Sequence, residues 1–540
     1  MKYILPSMFY LVDIYSFRYL VFLSLMTCGN MIMSDKQLTQ PGWTKLLMLA
    51  GISTTLGLSL PVGYHIGVVN TPANIMKEFC NESMQRRYDL YMTKSQLDLL
   101  WSSIVSIFLV GAAIGSLGGA VLADKIGRRG VLIVSSVLGI SAGLLFVVSK
   151  PTHSVEMLFL GRLLVGFSAG LTTSVVPMYL TELAPISLRG AMGVLCPLGI
   201  TIGVLLGQII SIHDVLGTKD LWSYCMAAYV LPLFFSTLTL PILPESPKYL
   251  FVIKKSPNMA LKQLKKIRNL EEEFLTAEIN ELKVEQREIE QHVGESWNMR
   301  IVLSKKSLLL PVLLVCSLQM GQQFSGINAV FYYSNVIFQE AGLSTSQGEL
   351  ATIGTGFCNL FMAILSIWFT SRFDRRVCLQ LSMILSIFFL ILLGFAIMFI
   401  KSYTWIPYLS IIGVLGFVTT YGIGLGPIPY FVGSELFEIG PRPSAMSLGS
   451  MSNWAGNLII GLTFPTMKTY IGPASFFIFA CFVLILLIFI RFYLPETRGR
   501  DIAEVAALCR NGFSSRPLET REIARMKCEE TQKIYGNQVA

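Results

Sequence analysis

The chain has 540 residues, 53% hydrophobic and only 14% charged, with 34 Phe and a mean hydropathy of +0.61. Soluble domains carry about 25% charged residues, so a water-soluble globule is excluded and a polytopic membrane protein is expected. The formal net charge of +9 has no basic, aromatic-interleaved polar domain to carry nucleic acid; it marks loops beside anionic lipid instead.

Residues 1–32 are apolar but interrupted by Asp13 and Arg18 and show no cleavage site. They are read as an appendage ahead of a second start at Met33-Ser34-Asp35-Lys36. A bilayer crossing needs about 20 apolar residues. Six such runs follow, at 45–69, 97–122, 131–149, 156–179, 191–212 and 221–243. Within the first, His65 is the residue type that titrates near neutral pH. The loop 70–96 holds the one N-x-S/T sequon, Asn81-Glu82-Ser83, a candidate glycosylation site. Residues 244–306 turn charged, with apolar positions at helical spacing, and are expected to form amphipathic helices in water. Six more runs follow at 307–337, 349–371, 377–400, 406–434, 444–466 and 472–494, and the tail is 495–540.

The links 123–130 and 372–376 are strongly basic, which puts them, the linker, the core N-terminus and the tail inside, and the loop 70–96 outside. The ten cysteines are scattered, several in apolar runs (Cys196, Cys225, Cys316, Cys358, Cys481), with neither metal spacing nor a disulfide framework. No Ser/His/Asp set, metal cluster or phosphate loop appears. An enzyme is not expected, nor is a cofactor or metal.

Charged motifs recur at one offset. Arg128-Arg129 after span 2 return as Arg375-Arg376 after span 8; Glu182 and Arg189 return as Glu435 and Arg442; Pro244-Glu245-Ser246 returns as Pro495-Glu496-Thr497. Arg129 to Arg376, Glu182 to Glu435 and Glu245 to Glu496 are 247, 253 and 251 residues apart. This is a duplicated six-helix unit. Two such bundles rocking about a central site is how many secondary transporters alternate access, and ion pairs among these residues are expected to latch the two bundles at the cytoplasmic side. Within the membrane the polar, uncharged GQQFSGIN, residues 321–328, interrupts span 7, and the Gly/Pro run GIGLGPIP, 422–429, interrupts span 10. Amides beside glycines offer donors and acceptors facing a cavity.

The chain resembles the facilitative glucose transporter family, the sugar-porter branch of the major facilitator superfamily. The residues that carry the resemblance are Gly127-Arg128-Arg129, Gly161-Arg162, Pro177-Met178-Tyr179-Leu180-Thr181-Glu182, Pro244-Glu245-Ser246-Pro247-Lys248, Gln322-Gln323-Phe324-Ser325-Gly326-Ile327-Asn328, Gly426-Pro427-Ile428-Pro429 and Pro495-Glu496-Thr497-Arg498-Gly499. The resemblance covers about 45–500 and implies an all-α fold of twelve transmembrane helices in two six-helix bundles with a cytoplasmic helical linker domain. It also implies uniport of a hexose, glucose or fructose, at the plasma membrane. It makes Gln322, Gln323, Asn328, Asn359, Tyr430, Trp454 and Asn457 sugar-contacting positions. It groups Arg162 with Arg128, Arg129, Glu182, Arg189, Glu245, Arg375, Arg376, Glu435, Arg442 and Glu496 as the cytoplasmic gate.

Several residues depart from the family pattern. Pro197 replaces a glutamine of span 5, Tyr421 and Gly422 replace Phe-Glu, Tyr430 replaces Trp, and Gln319-Met320-Gly321 is intermediate between glucose and fructose types, while Val330 is glucose-type. His65 stands where proton-coupled members carry Asp and facilitators Asn. A proton–sugar symporter acting through His65, and a non-transporting sugar receptor on the same scaffold, are the alternatives.

Overall fold

The computed structural model describes residues 42–514 apart from 186–187, 292–298, 341, 401, 403–404, 438–440, 499, 501 and 510–511. The appendage 1–32 and most of the tail lie outside the described residues. The chain is a multi-pass membrane protein: among the described residues, ten helices are long and apolar enough to cross a bilayer.

Span 1 is Lys45–Thr54, a π-helical turn Thr55–Ser59 and Leu60–Gly67. Spans 2 to 5 are Lys94–Ile126, Arg128–Ser149, Val155–Leu183 and Arg189–Ile210. Span 6 is broken into Trp222–Ala227 and Val230–Thr239. Span 7 is Lys306–Phe324 and Ile327–Glu340, span 8 Thr345–Arg372, span 9 Arg375–Met398, and span 10 Ile406–Ile423 and Ile428–Leu436. Spans 11 and 12 are Arg442–Ile471 and Ala474–Tyr493. Spans 2 and 8 start earlier than their apolar runs because each carries a capping box, Thr93 with Gln96 and Ser344 with Gln347.

The loop expected at 70–96 contains a helix, Ala73–Tyr88. It buries Met76, Phe79, Cys80 and Ser83, one face at helical spacing. Phe79 packs on Trp222 at 4.7 Å, and Lys219 pairs with Glu78 and Glu82, each at 3.2 Å.

The linker forms helices Pro257–Arg268, Thr276–Gln291 and Met299–Ser304. It is tied to the first bundle. Arg268 holds Glu278 at 2.9 Å and donates to Leu183 O at 2.7 Å; the Thr44 hydroxyl donates to Ile267 O at 2.7 Å; Arg189 pairs with Glu281 at 2.9 Å. The end of the molecule that carries these helices is called the linker face below.

Packing repeats with the sequence. Spans 2 and 3 pack on span 4 and span 1 on span 5; spans 8 and 9 pack on span 10 and span 7 on span 11. In the first bundle the approach is backbone to backbone. A Cβ at Gly166 or Gly170 would lie 2.1 Å from Phe108 O or Ala112 O, and one at Gly111 or Gly115 2.4 or 2.3 Å from Leu163 O or Phe167 O. Helices in lipid have no hydrophobic drive to associate, so such small-residue seams supply close van der Waals contact.

The two bundles meet where span 2 packs on span 11, span 5 on span 8, and Leu60–Gly67 of span 1 on Ile327–Glu340 of span 7. The last pair is the half of each span farthest from the linker. The Gln208 amide of span 5 also donates to Thr355 of span 8 at 3.5 Å.

Candidate functional site

Span 7 stops at Phe324 and restarts at Ile327 because Gly326 takes φ +84°, a conformation that favours glycine. Its missing side chain also leaves room for the Phe479 ring, 2.4 Å from where a Cβ would stand. Span 10 is interrupted between Ile423 and Ile428, freeing backbone groups. The Ser382 hydroxyl accepts from Leu425 N at 3.0 Å, and Gly426 N donates to Tyr421 O at 2.9 Å.

The two breaks face one another through amides. Gln322 Nε2 donates to Leu425 O at 3.2 Å and to Gly426 O at 2.7 Å, and Gln319 Nε2 donates to Pro429 O at 3.0 Å. Asn453 of span 11 joins all three glutamines. Its Nδ2 donates to Gln322 Oε1 at 2.7 Å and Gln319 Oε1 at 2.9 Å, and its Oδ1 accepts from Gln323 Nε2 at 3.1 Å. Asn328 Nδ2 donates to Gln323 Oε1 at 2.6 Å. The expected Gln322, Gln323 and Asn328 are therefore brought together, and all are buried. Sequence reasoning passed over Asn453 and noted Gln319 only within the Gln319-Met320-Gly321 motif. A signal for Asn453 existed, four residues before Asn457 on the same helical face.

The other expected contacts surround this set less tightly. Trp454 is buried and meets the Phe108 edge of the first bundle at 6.2 Å and 82°. Asn457 is buried one turn further along. Tyr430, on the second helix of span 10, is 42% accessible. Asn359 is half-buried on span 8 and makes no hydrogen bond with a described residue. At Gly422 a Cβ would fall 2.5 Å from Met362 Cβ, so Met362 fills the space a longer side chain needs.

His65 and Arg162 form a separate buried pair. Arg162 Nη1 donates to His65 Nδ1 at 3.4 Å and to His65 O at 3.3 Å, while Nη2 and Nε donate to Val105 O and Ile104 O. A guanidinium only donates, so His65 Nδ1 is an acceptor. Phe108, Phe146 and Tyr229 enclose the imidazole within 4.4 to 6.1 Å, and Nε2 is buried with no hydrogen-bond partner among the described residues. Arg162 is thus not part of a gate on the linker face. It lies seven residues from the start of span 4 at the opposite face, at membrane depth.

The linker face carries two matching clamps. In the first bundle Glu245 Oε1 accepts from Arg128 N, Arg129 N and Ser246 N at 3.0, 3.2 and 2.9 Å, and Glu182 pairs with Arg128 at 3.0 Å and takes the Ser246 hydroxyl. Arg129 reaches Leu243 O at 3.1 Å. In the second, Glu496 accepts from Arg375 N and Arg376 N at 3.0 Å each, and Glu435 pairs with Arg375 at 3.6 Å and takes the Thr497 hydroxyl. Glu245 and Glu496 sit at the N-termini of spans 3 and 9, where orphan N–H groups favour an anion. In this state the ion pairs of Arg128, Glu182, Arg375 and Glu435 lie inside their own bundle, Arg189 turns to Glu281 of the linker, and Arg442 donates to Phe437 O at 3.1 Å.

At the opposite face Asn81 is half-buried in mid-helix, and the Ser83 hydroxyl is buried without a hydrogen-bond partner among the described residues.

The family model described as "Sugar (and other) transporter" matches residues 50–508. Facilitated glucose transporter member 1 of solute carrier family 2 from Gallus gallus is 36% identical over 479 residues, 88% of this chain and 96% of that protein. Member 3 from Ovis aries is 37% identical over 467 residues, 86% and 93% of the two chains. Among solved structures, the proton:xylose symporter XylE bound to 6-bromo-6-deoxy-D-glucose superposes with a TM-score of 0.70 at 24% identity, covering 86% of this chain and 98% of that one. This likeness extends to the fold, the major facilitator arrangement.

Proposed function

Because the chain belongs to the sugar (and other) transporter family, we propose that it carries a hexose down its gradient across the plasma membrane by alternating access. Members of this family are transporters and not enzymes. The observation that carries the reading is the uncharged amide set where the breaks of spans 7 and 10 meet. A hexose is neutral and presents several hydroxyls, each both donor and acceptor. Amide side chains match that pattern, and the Trp454 and Tyr430 rings offer apolar faces to the sugar's C–H edge. Gln323, Asn328, Asn359, Tyr430, Trp454 and Asn457 are the residues proposed to touch it.

Two features support movement of the bundles about this site. Besides the packing of span 2 on span 11 and span 5 on span 8, they meet in the halves of spans 1 and 7 away from the linker, whereas the ion pairs Arg128–Glu182 and Arg375–Glu435 on the linker face each stay within one bundle. This suits a state open toward the linker, which the basic links 123–130 and 372–376 assign to the cytoplasm. The clamps then act as stiffeners that let each bundle rock as one body.

Proton coupling through His65 is disfavoured by its surroundings. One ring nitrogen is occupied by Arg162, and the whole imidazole is sealed from water by aromatic rings. The test is radiolabelled glucose and fructose uptake in hexose-transport-deficient cells, at several pH values, with and without a protonophore. Saturable uptake indifferent to the protonophore is expected. Uptake that collapses with the proton gradient would overturn uniport, and no hexose uptake despite surface expression would overturn the function.

A further inference from the structure

We propose that the face opposite the linker is closed by two side-chain plugs seated on glycines, Gln208 on Gly356 and Leu109 on Gly461, and that the Gln208 plug releases first. This rests on alternating access and not on the identity of the cargo.

Both contacts cross between the bundles. Gln208 of span 5 is buried against span 8, where its Oε1 lies 2.0 Å from the place a Cβ on Gly356 would take. Leu109 of span 2 is buried against span 11, and its Cδ1 lies 3.1 Å from the same place on Gly461. Span 8 runs toward the linker face and span 11 away from it. Gly356, three residues before Asn359, and Gly461, four after Asn457, therefore stand one turn outside those polar positions. The plugs roof the space the asparagines line.

The two seals are related by the repeat, with their parts exchanged. The 247-residue offset that carries Arg129 onto Arg376 carries Leu109 onto Gly356, and the 253-residue offset that carries Glu182 onto Glu435 carries Gln208 onto Gly461. Spans 2 and 8 thus correspond at this level, as do spans 5 and 11. The first bundle supplies both plugs and the second both holes. Large side chains at all four positions would collide when the bundles meet, and glycines at all four would leave gaps; large against small closes both seams to interior packing density.

The seals differ in chemistry. Leu109 makes an apolar contact, and parting it exposes apolar surface. Gln208 Nε2 donates to the Thr355 hydroxyl at 3.5 Å, and that hydroxyl spends its own hydrogen on Thr352 O at 2.6 Å. Thr355 can therefore only accept, and Gln208 Oε1 is buried with no hydrogen-bond partner among the described residues. A buried acceptor left unpaired is costly, and water meets it as soon as the seam parts. Release of Gln208 recovers a hydrogen bond; release of Leu109 recovers none. The seam of spans 5 and 8 is the weaker one.

The test uses the full chain at the surface of intact cells, with an impermeant maleimide added outside and no sugar present. Thr352→Cys reports on the seam of spans 5 and 8, and Ser106→Cys on that of spans 2 and 11; both positions are buried in the closed face. Mass spectrometry of each labelled peptide, scaled to the same peptide in unfolded chain, separates the reporters from the native cysteines. Gly356→Ala should raise labelling at Thr352→Cys by about tenfold or more, and combining it with Gln208→Ala should bring the rate back to within about threefold of the parent. Gly461→Ala and Leu109→Ala should do the same at Ser106→Cys. Gln208→Leu keeps a plug and removes the unpaired acceptor, so it should lower labelling at Thr352→Cys by about fivefold. In the parent chain Thr352→Cys should label faster than Ser106→Cys. Unchanged labelling in Gly356→Ala, or faster labelling in Gln208→Leu, would overturn the plug, and equal rates at the two reporters would overturn the order. If Gly356→Ala does not reach the surface, Gln208→Leu, which adds little volume, decides. Absence of hexose uptake in the same cells with this labelling pattern intact would remove the proposed cargo and still support the seals.

Discussion

Removing the Glu245 carboxylate should soften the first bundle, and removing Glu496 should soften the second to a similar extent. Glu245 accepts three backbone N–H groups at 2.9 to 3.2 Å, two of them the orphan donors that open span 3. A hydrogen bond to a charged group contributes about 1.5–3 kcal/mol, but these three share one half-buried oxygen and water can replace part of the loss, so about 1 kcal/mol each is reasonable. Glu245→Ala then costs about 3 kcal/mol. Over a cooperative bundle of roughly 200 residues that lowers Tm by about 6–12 °C. Glu496→Ala removes acceptors from Arg375 N, Arg376 N, Thr497 N and Arg498 N and should do the same. The double variant should be additive, since the clamps share no partner. Thermal unfolding in detergent, followed by tryptophan fluorescence, is the assay. A Tm unmoved by Glu245→Ala, or an effect in one bundle without its counterpart, would refute the idea that the repeat preserves a structural clamp in each half.

Gly170→Ala should destabilise by about 1–3 kcal/mol, because its Cβ would press within 2.1 Å of Ala112 O, whereas Gly118→Ala, with open space around it, should leave Tm unchanged. Gly422→Glu should abolish uptake by colliding with Met362, and Gly422→Glu with Met362→Ala should recover part of it; recovery of folding is read by size exclusion and of transport by uptake. Cys80, whose thiol is pushed up to about 12 by burial, should resist an impermeant maleimide at pH 7.5, while Gln85→Cys on the exposed face of the same helix reacts; mass spectrometry of the labelled sites decides.

The repeat was legible because its charges sit at near-constant offsets, and charges at span ends survive as clamps wherever a helix N-terminus needs an anion. What those clamps connect was not legible: a sequence offset says that Glu182 and Glu435 correspond, and nothing about whether either crosses the boundary. Arg162 was assigned to the wrong face because it was grouped by motif rather than by depth. Counting seven residues from Val155 puts it well inside span 4. The helix Ala73–Tyr88 was hidden by its charges, which outnumber the stripe of Met76, Phe79 and Cys80 that folds it. The amides of span 7 were plain from their type and their glycine neighbours. Asn453 shares a helical face with Asn457, but its role of holding other side chains shows when three helices are brought together.

Counterflow tests the central claim most directly. Proteoliposomes holding the purified chain are loaded with unlabelled hexose, and the initial uptake of labelled hexose is compared with that into empty vesicles. A carrier whose site faces one side at a time should return faster when loaded, giving accelerated uptake and a transient internal accumulation, with Gln323→Met abolishing both. Uptake that neither saturates nor responds to internal sugar would contradict alternating access at this site.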